Sequence, residues 1–219
     1  MLLGAYRGGV VSEQRVVYYV AATADGFIAA ADGGVEWLSD FSGVGGYDEF
    51  FAGVGSLVLG RTTFDQVLGW GWPYGDKPAA ILTSTPLPAG APPSAFAWEG
   101  SEAPGLVARL RAAAPGGVWV VGGGRTAGLF LAEGLLEEVE LTVMPLLLGR
   151  GIPLWPEEGA GHHRLELLRA RGHENGAVHL HYRVRRRAQR GTRRPPRRRR
   201  RRRRFGRARP ARTRPPRRP

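Results

Sequence analysis

The sequence predicts an α/β protein with a mixed, mostly parallel sheet, helices on both faces and an antiparallel hairpin at the C-terminal end. Short, nearly continuous apolar runs alternate with segments of helical periodicity through most of the chain. Such runs suit central strands that are covered on both faces. The last two strand-like segments are joined by Asn175-Gly176, a pair that favours a tight turn between antiparallel strands.

The strands follow from these apolar runs, taken in chain order. The run VELTVMPLLL contains Pro145, which indicates a bulge or a sheet edge because proline cannot donate to the ladder. The predicted strands are 16–22, 56–60, 79–84, 96–98, 118–122, 139–148, 164–172 and 177–184.

Helical patterns lie between the early strands. In APGLVARLRAAA, leucines at 106 and 110 share one face. In TAGLFLAEG, Gly134 is placed to end the helix as a C-cap. The predicted helices are YDEFFAGV, TTFDQVL, APGLVARLRAAA and TAGLFLAEG.

Composition excludes several classes of protein. The chain has 219 residues and no cysteine, so it has no disulfide framework, cysteine-based zinc site or thiol nucleophile. No apolar stretch reaches the ~20 residues of a membrane span, and the apolar part of residues 1–15 is too short for a signal peptide. We therefore expect a cytoplasmic protein without membrane contact, with residues 1–15 as a mobile extension.

The net charge of +13 averages two unlike regions. Residues 185–219 contain 20 arginines and no acidic residue, whereas the other 12 basic and all 19 acidic residues precede them, for a net charge of −7. The tail has no apolar period, so we expect it to be disordered and the folded domain to span 16–184. Two interpretations of the tail stay open. It could bind nucleic acid non-specifically by counterion release, with the body as an inactive scaffold, or it could be dispensable.

Two strand-to-helix junctions carry glycine followed by arginine. VWVVGGGR ends on the glycines at 122–124 before Arg125, and in LVLGRTTF Gly60 precedes Arg61. Glycine lets a phosphate approach the backbone, a helix N-terminus offers free N–H groups, and arginine adds a forked cation. Two such junctions in one sheet predict a ligand with several phosphates at the carboxyl ends of the strands.

Each junction also has a simpler interpretation. The glycine run could be a turn that needs positive φ, and Thr62 or Thr63 could cap the helix after Gly60. Gly122-x-Gly124-x-x-Ala127 fits a Rossmann fingerprint, but that motif normally lies in the first βαβ unit.

Five segments then carry a family resemblance: TADGFIA (23–29), LVLGRTTF (57–64), WPYGDKPAAILTS (72–84), VWVVGGGR (118–125) and LTVMPLLLGRGIPLW (141–155). In this order they resemble the dihydrofolate reductase superfamily, and within it the bacterial branch that includes the reductase domain of riboflavin biosynthesis. The resemblance covers 16–184. It implies an eight-stranded sheet, NADPH as cofactor and hydride transfer to a small heterocycle, such as a dihydrofolate-like pteridine or a riboflavin-pathway aminopyrimidine. Relatives often pair as homodimers.

The resemblance also implies the site residues. Gly60 and the three residues after it would meet the cofactor phosphates, and Arg61 or Arg125 would face the adenosine 2′-phosphate. The loop after the first strand would cover the nicotinamide, with Asp25 and Trp37 on the substrate side. The implied cofactor-binding set is Ala22, Asp25, Ile28, Gly60, Arg61, Thr62, Thr63, Thr83, Ser84, Gly122, Gly123, Gly124, Arg125 and Thr126.

Candidate acids follow that loop. Dihydrofolate reductases carry a carboxylate on the next helix, where this chain has Asp48 and Glu49. Their spacing to Gly60 departs from the family pattern, which weakens the case for folate reduction but not for NADPH binding. Acidic residues in a first helical turn also stabilise the helix dipole. Hydride transfer itself needs no protein nucleophile.

His179 and His181 lie at i and i+2 and share one face of the last strand. Without cysteine or a matched carboxylate the pair does not predict a metal site. We expect a row of solvent-facing histidines.

Overall fold

The computed structural model describes residues 14–41, 46–99, 102–155 and 161–185. The predicted mobile extension and disordered tail lie almost wholly outside these residues. Within the described part, no helix is long and apolar enough to cross a membrane.

Arg15, which the sequence assigned to the N-terminal extension, lies against the sheet. Its carbonyl oxygen accepts a hydrogen bond from the N–H of Val118 at 2.8 Å. Its guanidinium Nε lies 3.3 Å from a carboxylate oxygen of Glu138. Arg15 therefore belongs to the folded domain rather than to the predicted extension.

The helices and strands occur largely where the sequence patterns predicted them. The strands are β1 (Val16–Thr23), β2 (Phe27–Ala29), β3 (Val54–Gly60), β4 (Ala79–Leu82), β5 (Ala95–Trp98), β6 (Gly117–Gly122), β7 (Glu138–Met144), β8 (Ile152–Pro153), β9 (Arg164–Gly172) and β10 (Val178–Arg185). The helices are α1 (Tyr47–Ala52), α2 (Arg61–Gly69), α3 (Ala103–Ala113) and α4 (Gly124–Ala132), with a 3-10 helix at Glu36–Phe41.

Eight of these strands form one sheet in the order β5-β4-β3-β6-β1-β7-β10-β9. The six strands from β5 to β7 pair in parallel. β10 pairs antiparallel with both β7 and β9. This is the predicted mixed, mostly parallel sheet with its closing hairpin. The short strands β2 and β8 pair separately.

Side chains alternate between two cores, one on each face of the sheet. On β6, Val118 and Val120 enter one core together with Phe130 of α4, and Trp119 enters the other with Phe64 of α2. Because successive strand residues point to opposite faces, continuous apolar runs let each strand serve both cores. Helices α3 and α4 cover one face, and α1 and α2 cover the other.

One predicted boundary was wrong. The run at 139–148 was expected to continue as a strand through Pro145, but β7 ends at Met144. Proline lacks the N–H that a ladder position next to β1 or β10 requires, so the strand ends before it. The hairpin turn is as predicted, with Gly176 at φ 84° and its N–H donating to the carbonyl of His173 at 3.0 Å.

Candidate functional site

The ends of β3 and β6 meet at the carboxyl edge of the sheet. The strands are neighbours, with Leu59 opposite Gly122. A methyl group built on Gly60 would lie 2.8 Å from Oγ1 of Thr126 and 3.7 Å from the carbonyl oxygen of Gly122. The two Gly-Arg junctions therefore form one continuous surface rather than two separate turns.

Helices α2 and α4 begin at this surface with glycine N-caps, Gly60 and Gly123, and neither has a side-chain capping hydrogen bond. The interpretation of Thr62 or Thr63 as a cap was wrong, because both lie inside α2. The first-turn N–H groups of both helices thus have no intrahelical acceptor. Such groups and the helix dipole together favour a bound anion.

The three consecutive glycines differ in their surroundings. Gly122 has φ 145°, which L side chains rarely adopt. A methyl on Gly124 would lie 2.7 Å from the carbonyl oxygen of Pro153 and 2.8 Å from that of Leu154, so this glycine allows close packing.

Gly123 combines space for a methyl group with a backbone conformation that any residue adopts, since its φ is −80°. A methyl there would meet Oγ1 of Thr63 at 3.6 Å and Cδ1 of Ile28 at 3.8 Å, which are ordinary contacts. The peptide bond between Gly122 and Gly123 is cis. Because only Thr63 and Ile28 come within 4 Å of such a methyl, Gly123 presents bare backbone between α2 and the loop after β1.

The two arginines are held differently. Arg61 Nε contacts both oxygens of Asp65 at 2.9 and 2.8 Å, and its Nη1 donates to Oγ1 of Thr85 at 2.6 Å. Arg125 is exposed and makes no hydrogen bond or ion pair with a described residue. Thr83 joins the Arg61 group because its hydroxyl lies 3.0 Å from that of Thr85, while Ser84 is exposed.

The loop after β1 is fastened by Asp25. Its carboxylate accepts from the hydroxyl of Thr23 at 2.5 Å and from the N–H groups of Leu148 at 3.3 Å and Gly149 at 2.7 Å. The bond from Thr23 is the largest influence and lowers the pKa of Asp25. Desolvation, the next largest, opposes it, and the bonds from Gly149 and Leu148 lower the pKa further. Asp25 thus connects this loop to the segment after β7, whereas Ala22 is buried in the core.

The remaining candidates lie around α1. Asp48 and Glu49 are exposed and make no hydrogen bond with a described residue. Trp37 lies in the 3-10 helix, and its Nε1–H is buried with no acceptor among the described residues. Helix α1 packs through Phe50, whose ring stacks on Tyr19 of β1 at 4.1 Å.

Sequence reasoning missed a polar ladder across β7 and β10. The Nε2 atoms of His181 and His179 lie 3.0 Å from Glu138 and 3.2 Å from Glu140, respectively. The expectation of solvent-facing histidines was wrong, because the side chains of His179 and His181 are only 15% and 17% exposed. The signal was available: Glu138, Glu140 and Thr142 alternate with Val139, Leu141 and Val143 on the facing strand.

Charge balance within the ladder favours ionised Glu138. Burial opposes ionisation of this carboxyl, but the hydrogen bond and charge of His181, together with Arg15 and Arg183, outweigh it and lower the pKa of Glu138. The structure contains no group of three or more metal-ligating side chains among residues 14–41, 46–99, 102–155 and 161–185.

A sequence profile of the RibD C-terminal domain matches residues 14–179. The chain belongs to this family. A relative of the RibD C-terminal domain described here is the uncharacterized protein YwjB of Bacillus subtilis, 36% identical over 66% of this chain and 84% of its own.

Solved structures share the fold of this RibD C-terminal domain. A protein from Shewanella sp. PV-4 assigned to riboflavin biosynthesis has a TM-score of 0.70 and 29% identity, and the match covers 79% of this chain and all of that one. Dihydrofolate reductase of Enterococcus faecalis, crystallised with NADP(H), has a TM-score of 0.54 and 15% identity over 78% of this chain and 96% of its own. The domain therefore has the reductase-like fold of the dihydrofolate reductase superfamily.

Proposed function

We propose that this protein is an NADPH-dependent reductase that transfers hydride to a small heterocyclic substrate, either a dihydrofolate-like pteridine or a riboflavin-pathway aminopyrimidine. One observation carries the proposal: two helices without side-chain caps begin at neighbouring strand ends, at Gly60 and Gly123. Adjacent strands lie about 4.8 Å apart. Two sets of free N–H groups at that separation suit a pyrophosphate better than a single phosphate.

The residues present fit a dinucleotide. The partly buried backbone at Gly123, which has no side chain, would accept its close approach, and the N–H groups that open α2 and α4 would donate to the pyrophosphate. Arg61 lies with Thr83 and Thr85 at the outer side of α2, where it would meet the adenosine 2′-phosphate. Arg125 is available as a second cation.

The cofactor supplies the hydride when bound. The chain must position the nicotinamide ring, exclude water and hold the acceptor carbon in line with the hydride. Ile28 lies next to Gly123, and the loop that carries it is fastened at Asp25 and through the bond from Nε2 of Gln66 to the carbonyl of Gly33 at 2.8 Å. This loop would cover the nicotinamide and the reacting carbon.

The preference for NADPH over NADH follows from the 2′-phosphate. A charge-assisted hydrogen bond contributes about 1.5–3 kcal/mol, so one or two of them give roughly a ten- to several-hundred-fold preference. The test is a tryptophan-fluorescence titration of the full-length protein with NADPH and with NADH.

Arg61→Gln should weaken NADPH binding and leave NADH binding unchanged. Arg164→Gln is the matched control, because Arg164 is exposed at the start of β9, at the opposite edge of the sheet. A chain that binds neither nucleotide would overturn the proposal, and equal affinity for the two nucleotides would overturn the assignment of the phosphate site.

A further inference from the structure

We propose that Thr142, His179 and Glu140 form a proton relay that protonates the substrate as hydride arrives, an inference that rests on the proposed function. The three groups are in contact: Oγ1 of Thr142 lies 3.2 Å from Nδ1 of His179, and Nε2 of His179 lies 3.2 Å from Oε2 of Glu140. The sequence did not predict a catalytic role for any of the three, and the exposed acids of α1 make no hydrogen bond with a described residue.

The chemistry of the contacts sets the protonation of the imidazole. A carboxylate only accepts, so Nε2 of His179 carries a proton and donates it to Glu140. Nδ1 then accepts from the Thr142 hydroxyl when the ring is neutral and donates to it when the ring is charged. A hydroxyl can do both, so this contact persists in both states. When His179 is charged, the hydroxyl proton of Thr142 must point to another acceptor.

The relay lies close to the proposed cofactor surface. Thr142 is opposite Ala21 of β1 and opposite His179 of β10, two residues before β7 ends. β6 and β7 flank β1, so Thr142 lies two strand spacings, about 10 Å, from the strand that ends at Gly122. In the proposed arrangement the hydride would reach the acceptor from the β6 side and the proton from the β7 side.

Burial also fits a proton donor at the floor of a site. Thr142 is 4% exposed and His179 15%, so bulk water has little access to the pair. Ala21 and Val121, on the same face, are only partly buried. Because the side chain of Ala21 is small, it covers little of the sheet surface beside Thr142. The side chains of Thr142, His179 and Glu140 line one side of that surface.

The step balances for an imine acceptor. The hydride adds to the carbon of the C=N bond, and its electron pair moves to the nitrogen. That nitrogen takes the hydroxyl proton of Thr142, while the Nδ1 proton of His179 passes to the Thr142 oxygen. His179 ends neutral with Nε2–H still on Glu140, and a solvent proton later restores its charge. Glu140 is a positioning residue, because it acts only through His179.

His181 provides a matched control. It occupies the same strand, pairs with Glu138 in the same way at 3.0 Å, and lies two residues farther from Thr142 along β10. The structure shows no hydroxyl at its Nδ1 among the described residues. The charged or titratable groups that face His179 are Tyr19, Glu138, Glu140, Arg171, His173 and His181.

The first test is independent of turnover and cofactor. Nitrogen-15 NMR of histidine side chains in the full-length protein should show neutral His179 as the Nε2–H tautomer, and Thr142→Val should shift its Nδ1 resonance but not that of His181. An Nδ1–H tautomer of His179 would overturn the relay, whether or not the protein binds NADPH. Absence of NADPH binding in a protein that keeps the Nε2–H tautomer would instead overturn the proposed function, and with it the role of these contacts in reduction.

The second test measures NADPH oxidation with dihydrofolate and with the riboflavin-pathway aminopyrimidine from about pH 5 to 9. His179→Gln should lower kcat about 100-fold or more and remove the fall in rate at high pH, with the Kd for NADPH unchanged. His181→Gln should keep both kcat and the pH profile. Equal losses in the two variants would overturn the relay.

Discussion

The glycine run offers the sharpest test of the site, because its members should respond oppositely to the same substitution. In Gly124→Ala the new methyl would lie 2.7 and 2.8 Å from two backbone carbonyl oxygens, those of Pro153 and Leu154. Backbone atoms cannot move aside as side chains can, so we expect a destabilisation of about 1–3 kcal/mol. For a domain of this size that lowers Tm by roughly 2–12 °C.

Gly123→Ala should leave the fold intact. The N-cap glycine has φ −80°, which alanine adopts readily, and its methyl would meet only ordinary contacts at 3.6 and 3.8 Å. Reduced entropy of the unfolded chain should even add about 0.4–1 kcal/mol of stability. The methyl would, however, occupy the surface where the dinucleotide lies. We expect NADPH affinity to fall about tenfold or more, which corresponds to about 1.4 kcal/mol.

Thermal unfolding and fluorescence titration of the same preparations separate these effects. Gly69→Ala is the control, since it ends α2 away from the strand tips and a methyl there has no neighbour within 4 Å. A Gly124→Ala protein as stable as wild type would refute the packing of α4 on the end of β8 and the residue after it. Undiminished NADPH binding by a folded Gly123→Ala protein would refute the placement of the cofactor.

Further predictions concern the loop, the ladder and the tail. Asp25→Ala should speed amide exchange of the segment after β7, whereas Asp40→Ala should not. Because the pKa of Asp25 is lowered, its contact with the N–H groups of Leu148 and Gly149 in the wild-type protein should weaken as pH falls below the ordinary value of 3.8. His181→Gln should lower Tm at neutral pH, because it removes a partner of ionised Glu138. The difference in Tm from wild type should shrink as pH falls below 4.5. A difference in Tm that stays constant with pH would contradict the pairing of His181 with Glu138. Deletion of 188–219 should abolish non-specific DNA binding, measured by fluorescence anisotropy at several salt concentrations, and leave NADPH affinity unchanged; DNA binding that survives the deletion would exclude the tail as its source.

Local sequence pattern was sufficient for the eight strands of the main sheet, for the four α-helices and for the glycine-arginine junctions, but not for β2, β8 or the 3-10 helix. A continuous apolar run such as VWVVG can satisfy two cores only as a central strand, and a glycine-rich end before a helical pattern marks the helix start. Each of these signals is carried by residues that lie within a few positions of one another in the sequence. The error at Pro145 arose because the apolar pattern continues past the point where hydrogen bonding must stop.

The polar ladder required the folded chain. His181 and Glu138 are 43 residues apart in sequence, and their contact exists only because β10 returns to lie beside β7 in one particular register. A shift of β10 by one residue would turn His181 to the face of the sheet opposite Glu138. Composition and alternation reveal that charged residues share a face, but strand pairing alone selects their partners. The adjacency of Gly60 and Gly122 has the same origin. Four elements, α2, β4, β5 and α3, separate β3 from β6 along the chain, and the order of the strands in the sheet brings the two together.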